Sequence, residues 1–306
     1  MKVSLVDVDG HNFPNFALMK LSAWHKAQGD EVDWYMPLFS HPDRIYASKV
    51  FTFTQDFTDY NPSDPEPTKG GTGYDASITL PDEVESMSPD YSIYPQYDYA
   101  IGFLTRGCIR KCKWCVVPRK EGTLHIVGDI GKIGVRKHVV LMDNNFLAAD
   151  EDFVHEQLEK SKRLKLQIDF NQALDARLVT TKNAAWLAKC SWNPYIRFSC
   201  DTPPMTEVVV NAIHTLRSAG YRKDIFVYVL AYEVDTALKR IEALVKADER
   251  CVPFVMPFRS LDGNDADAGE EVKKLAHWCN RVQLLKTCTF AEYNRQAIER
   301  RKRLHV

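Results

Sequence analysis

The chain reads as an α/β protein: a small open βαβ domain followed by a longer run of alternating strands and helices. Three observations predict this. Short β-branched, apolar runs recur along the chain, and stretches with helical spacing fall between them. A segment dense in proline, glycine and aspartate at residues 60–98 separates two such regions. At 306 residues the chain has room for about two domains, and 45% hydrophobic residues suffice for a buried core.

In chain order, residues 2–8 form an apolar strand, and the turn Asp9-Gly10-His11-Asn12-Phe13-Pro14-Asn15 follows. Residues 16–28 place Leu18, Leu21 and Trp24 on one helical face, closed by Gly29. Strands at 31–36 and 44–51 complete an open, Rossmann-like domain, expected over residues 1–75, with ligands outside the carboxyl ends of its strands. Residues 76–97 read as a linker, with Tyr91, Tyr94, Tyr97 and Tyr99 expected to pack between domains or line an entrance. From residue 98, strands are expected at 99–104, 138–142, 166–170, 195–200, 225–231 and 253–258, with helices at 152–164, 182–189, 206–219 and 236–247. This second domain is expected to run to residue 280, followed by a helical extension over 281–306.

The formal net charge is −1, which gives no global argument for nucleic acid or membrane binding. The short basic tail, Arg295, Arg300, Arg301, Lys302 and Arg303, reads as a solvated helix end. No stretch approaches the ~20 apolar residues of a membrane helix, and Asp7, Asp9, His11 and Lys20 interrupt the early apolar runs, so no secretory signal is expected. Eight cysteines, three of them clustered, suit a reducing cytoplasm better than a disulfide scaffold.

The clustered three, Cys108, Cys112 and Cys115, stand in C-x3-C-x2-C spacing at the end of the strand expected at 99–104. Three thiolates on one loop can hold one iron–sulfur centre and leave one iron without a protein ligand. Arg106, Arg110, Lys111 and Lys113 interleave with them, and their charge is expected to favour the thiolate form. The alternative is a structural zinc site, but zinc prefers four N/S ligands. The next candidate, His125, lies ten residues past Cys115.

The spacing, with Trp114 before the third cysteine, resembles the radical S-adenosylmethionine (SAM) superfamily. The string Gly107-Cys108 through Trp114-Cys115-Val116-Val117-Pro118 to Gly122 is similar to its methylthiotransferase branch. The resemblance implies a partial (β/α)6 TIM-like barrel and a 4Fe–4S cluster on the three cysteines. It further implies reductive cleavage of SAM to a 5′-deoxyadenosyl radical for hydrogen abstraction, and a flavodoxin- or ferredoxin-type electron donor. Sulfur insertion is disfavoured, because residues 1–107 contain no cysteine for the second cluster of that branch.

At the strand exits, the resemblance assigns SAM contacts to Trp114, to Asp143, Asn144 and Asn145, to Arg177, and to Ser199 and Asp201. Asn171, Gln172, Asp175, Pro257 and Arg259 leave neighbouring strands, and Cys200 is expected to face the same site. Any one of these is also an ordinary helix N-cap type or loop residue. The first domain is similar to cobalamin-binding domains through Asp9-Gly10-His11, Ser48 and Gly70-Gly71, which would make His11 a cobalt ligand and the protein a cobalamin-dependent methyltransferase. Pro14 stands where that pattern has glycine. The reading from a different class is a non-catalytic zinc or iron–sulfur protein.

Overall fold

The computed structural model describes residues 1–261 and 266–296. It is a mixed α/β fold that divides into two compact units, residues 1–99 with 116–122, and residues 100–115 with 123 onward. No described helix is long and apolar enough to cross a membrane. Of the basic tail only Arg295 is described; Arg300, Arg301, Lys302 and Arg303 lie outside the described residues.

The first unit contains β1 (Lys2–Asp7), α1 (Phe16–Ala27), β2 (Glu31–Trp34), β3 (Arg44–Ser48), β4 (Thr68–Gly70), α2 (Asp82–Glu85) and α3 (Val117–Lys120). Its sheet has the order β2-β1-β3-β4, and every pairing is parallel. The α1 helix starts where Asn15 accepts the Leu18 N–H, and Asn15 Nδ2 donates to Ser48 Oγ at 2.9 Å. Leu18, Met19 and Leu21 pack with Val3, Leu5 and Ile45 in the unit's buried interior. The segment read as a linker belongs to this unit: Tyr94 is 1% exposed, and its hydroxyl donates to Asp7 Oδ2 at 2.7 Å. Gly71 has φ +99°, and a Cβ there would stand 2.4 Å from the Lys49 carbonyl oxygen. The glycine is therefore required by a close backbone approach, whether or not a cofactor is nearby.

The second unit contains β5 (Ala100–Gly102), β6 (Thr105–Arg106), β7 (His125–Ile126), α4 (Ile130–Ile133), β8 (His138–Leu141), α5 (Glu151–Arg163), β9 (Gln167–Phe170), α6 (Thr181–Leu187), β10 (Ser191–Trp192), β11 (Ile196–Ser199), α7 (Met205–Ser218), β12 (Ile225–Ala231), α8 (Val234–Ala247), β13 (Cys251–Pro257), α9 (Glu270–Cys279) and α10 (Val282–Thr287). Two parallel sheets, β10-β9-β8-β5 and β11-β12-β13, carry its core. They meet where β10 and β11 follow one another across the Asn193–Pro194 cis bond, and Leu174 bridges to Phe198 in parallel. Arg197 seals this seam with two hydrogen bonds of 2.8 Å to the two oxygens of Asp169. Burial alone would lower the Arg197 pKa, but the Asp169 carboxylate outweighs it and raises it.

The outward side chains of β12 and β13, among them Val227, Val229 and Val255, are buried against α8 and α9. The α8 stripe explains this packing: Ala237, Ile241 and Leu244 recur at helical spacing and are all buried. This arrangement sends the carboxyl ends of the parallel strands into one set of loops.

Candidate functional site

The cysteine loop is the excursion between the two short antiparallel strands β6 and β7, where Thr105 pairs with Ile126 and Arg106 with His125. Gly107 opens it at φ +77°, a conformation that strains side-chain-bearing residues. The exits of β8, β9 and β11 then hold it from different sides.

From the β8 exit, Asp143 reaches the start of the loop. Its Oδ2 accepts the Leu104 N–H at 3.1 Å, and its Oδ1 accepts the Thr105 N–H and hydroxyl at 2.6 and 2.7 Å. The residue is 0% exposed, and burial pushes its pKa up to about 6 against the pull of those donors. Asp143 thus fixes the loop with a carboxylate that is fully occupied. Asn144 Oδ1 accepts the Gly107 N–H at 3.1 Å. Asn145 is 2% exposed and donates from Nδ2 to Cys108 Sγ at 3.4 Å and to Asp175 Oδ2 at 3.3 Å. Its Oδ1 is buried with no hydrogen-bond partner among the described residues.

Asp175 is the hub on the β9 side. It accepts Arg110 Nε from the cysteine loop at 3.0 Å, and Arg177 grips both of its oxygens at 2.6 and 3.0 Å. Burial would raise the Asp175 pKa, but the two guanidiniums hold it below the ordinary carboxylate range. The Arg177 fork is therefore filled by the chain's own carboxylate.

From the β11 exit, Asp201 meets the hydroxyl of Ser199 and the indole N–H of Trp114 as hydrogen-bonding partners; burial nonetheless raises its pKa. Behind it, Arg240 is 3% exposed and donates to the carbonyls of Cys200, Leu230 and Thr236. Sequence reasoning missed Arg240, although the signal was present: a cation among Ala237, Ile241 and Leu244 on the apolar stripe of α8.

The loop cations are arranged differently from the sequence expectation. Arg110 is spent on Asp175, and Arg106 lies over the Phe103 ring at 4.3 Å. Lys111 and Lys113 are exposed. Burial raises the Cys112 pKa, and the cation that opposes this most is Arg177 from outside the loop. Cys108 Sγ also accepts the Arg110 backbone N–H at 3.3 Å, and the Cys115 N–H closes a turn onto the Cys112 carbonyl at 3.1 Å. Cys200 is 0% exposed beside Thr206, so it does not face a site as expected. Gln172 and Arg259 are exposed, Pro257 is half-buried, and the Asn171 carbonyl accepts the Tyr228 hydroxyl at 3.2 Å.

Beside the loop lies a cavity of about 390 Å³ lined by Lys113, Trp114, Tyr232, Phe258 and Ala266. Tyr232 follows β12, Phe258 follows β13, and their rings stack with centroids 4.2 Å apart. The cavity falls within the range of small-molecule sites, roughly 300–1,000 Å³. Neither aromatic was singled out in the sequence, because a tyrosine or phenylalanine ending a strand looks like any other core residue.

In the first unit, His11 is exposed; its ring sits edge-on to Trp34 at 4.3 Å and 5.7 Å from Tyr94. Its carbonyl accepts the Tyr97 hydroxyl.

Among the described residues, no three His, Cys, Asp or Glu side chains converge to hold a single metal ion. The loop carries three free thiols; two N–H donors face Cys108 Sγ, and Asn145 Oδ1 beside it has no hydrogen-bond partner among the described residues. Neither a protein-family model nor a curated protein matches the chain.

Proposed function

We propose that this chain is a radical SAM enzyme whose second unit is a partial (β/α)6 barrel. One observation carries the reading: the exits of β8, β9 and β11 all grip a loop with three thiols, and that loop lends its own Trp114 to the wall of an adjoining cavity. The pairings also suit a partial barrel, since β5, β8, β9, β11, β12 and β13 adjoin in sequence order.

Cys108, Cys112 and Cys115 would hold a 4Fe–4S cluster. A cube places each thiolate on its own iron, so it does not need three ligands around one point; a mononuclear zinc site does. When bound, the cluster and SAM would supply one-electron cleavage of a sulfonium and a radical for hydrogen abstraction. A low-potential donor of flavodoxin or ferredoxin type would provide the electron.

The chain's own residues would do the positioning. Asn145 Oδ1 is a buried acceptor available to an ammonium group. Ser199 and Asp201 offer partners for ribose hydroxyls, and Trp114, Tyr232 and Phe258 form an apolar wall for a purine. Arg177 could meet a carboxylate only by sharing its fork with Asp175.

Anaerobic reconstitution tests the reading. About four irons and four sulfides per chain are expected, followed by 5′-deoxyadenosine once SAM and a strong reductant are added. Stoichiometric zinc in freshly purified protein, with no SAM cleavage, would replace it with the non-catalytic metal-binding reading.

The cobalamin alternative rests on His11, which is exposed beyond the carboxyl end of β1, its ring against Trp34 and Tyr94. Co-elution of hydroxocobalamin that is lost in His11→Ala would support it; no co-elution removes it.

A further inference from the structure

The ionised Asp175 carboxylate sets the orientation of the Asn145 amide. Its Nδ2 faces two acceptors, Cys108 Sγ and Asp175 Oδ2. Turned by half a rotation, the amide would set its oxygen against a sulfur and a carboxylate that Arg110 and Arg177 already hold in place. In the orientation it has, the oxygen is left buried and without a partner. The fold therefore keeps an N–H directed at Cys108 at the expense of that oxygen. The Arg110 backbone N–H gives the same sulfur a second donor, whereas the Cys112 sulfur receives none from the described residues.

Donors aimed at a thiolate sulfur stabilise negative charge on it. Hydrogen bonds to cluster sulfurs are among the factors that set the reduction potential of an iron–sulfur centre, and outer partners of a ligand are tuning groups. We propose that Asn145, locked by Asp175, is a positioning residue that makes the centre on Cys108 easier to reduce. This rests on the cluster reading above; it assigns Asn145 a redox role through sulfur that is separate from ligand binding through Oδ1.

Asn145→Leu keeps the approximate shape and removes the donor; Asn145→Ser, too short to reach the sulfur, guards against misfolding of the first variant. In both, an EPR-monitored redox titration of reconstituted protein should show a more negative midpoint. The expected shift corresponds to about a tenfold fall in the reduced-to-oxidised ratio at fixed potential, ~59 mV for a one-electron couple. Iron content should stay at the wild-type level, whereas a merely structural role would lose iron and leave the potential of the remaining clusters unmoved.

If neither variant retains iron, a cluster-free measurement decides. Iodoacetamide should modify Cys108 severalfold more slowly relative to Cys112 than in wild type, read by peptide mass spectrometry. An unchanged potential with full iron, or an unchanged Cys108-to-Cys112 ratio, overturns the inference. Failure of the wild type to take up iron overturns the cluster reading instead, and the redox role falls with it.

Discussion

The carboxyl ends of the two units' parallel strands carry the same kinds of residue and use them differently. In the first unit the polar groups close on their own surroundings: Asp7 takes the Tyr94 hydroxyl, Asp9 the Thr54 hydroxyl and the Val50 N–H, and Ser48 the Asn15 amide. In the second unit Asp143, Asn144, Asn145, Asp175 and Asp201 bind a loop that carries three thiols, and they leave an unpartnered oxygen and an open cavity beside it. Exit polarity alone therefore does not mark a site. A candidate site is marked where the exits converge on a loop of thiols and remain incompletely satisfied.

The largest effect is expected at the seam that only the second unit has. The first sheet is continuous, whereas the second unit joins two sheets through an isolated bridge at Leu174–Phe198, the Arg197–Asp169 pair and side-chain hydrogen bonds such as Tyr228 to the Asn171 carbonyl. Arg197→Met leaves Asp169 buried without its cation, which costs about 3–5 kcal/mol. Urea denaturation should show that loss. A loss under ~1 kcal/mol would mean the seam is held by packing alone, as in an ordinary continuous sheet.

Asp143→Asn comes next. An amide can accept with one oxygen only, so at least one of the donors at Leu104 and Thr105 is left facing an NH2 group. An unsatisfied buried donor costs about 1–3 kcal/mol. Hydrogen exchange should quicken at residues 104–108 before it does elsewhere in the second unit. Uniform exchange would show that the clamp does not act locally.

Much of this frame was readable from residue order. The strands at 225–231 and 138–142 and the helices at 152–164 and 206–219 coincide with β12, β8, α5 and α7 to within a residue or so, because each has a full apolar period. The two-residue strands β6 and β7 have no period to detect, yet they define the cysteine loop. The strand expected at 195–200 is β11, whereas β10, only two residues long, was not read as a strand at all. Residues 76–97 looked like a linker because proline and aspartate punctuate them; what binds them to the first unit is a set of long-range contacts, among them Tyr94 to Asp7, Lys26 to Asp90 and Trp34 to the Ile93 carbonyl. The strands that the exit residues follow were read from the sequence, but the partners of those residues were not legible. A sequence fixes where a carboxylate leaves a strand, not whether it turns toward a ligand, as expected for Asp143, or back onto a neighbouring backbone.

Asp7 gives the smallest effect and the sharpest test, because it matches Asp143 in one respect and differs in another. Burial pushes both carboxyls up to about 6 from an ordinary value of 3.8. A raised folded-state pKa means that the folded protein holds its proton where the unfolded chain has lost it. The stabilising contribution is complete below about pH 4 and is lost as pH rises through about 6. At neutral pH both groups are therefore ionised at some expense to the fold. Asp143 is compensated by three donors, Asp7 by the Tyr94 hydroxyl at 2.7 Å and the Asp9 backbone N–H. Asp7→Asn keeps an oxygen for that hydroxyl and removes the buried charge. It should leave stability at pH 7.5 unchanged or slightly higher, and flatten the decline in stability that the wild type shows between pH 4 and pH 6. Destabilisation at pH 7.5 comparable to that of Asp143→Asn would mean that Asp7 is holding a partner the described contacts do not account for, and that the first edge is less closed than the second.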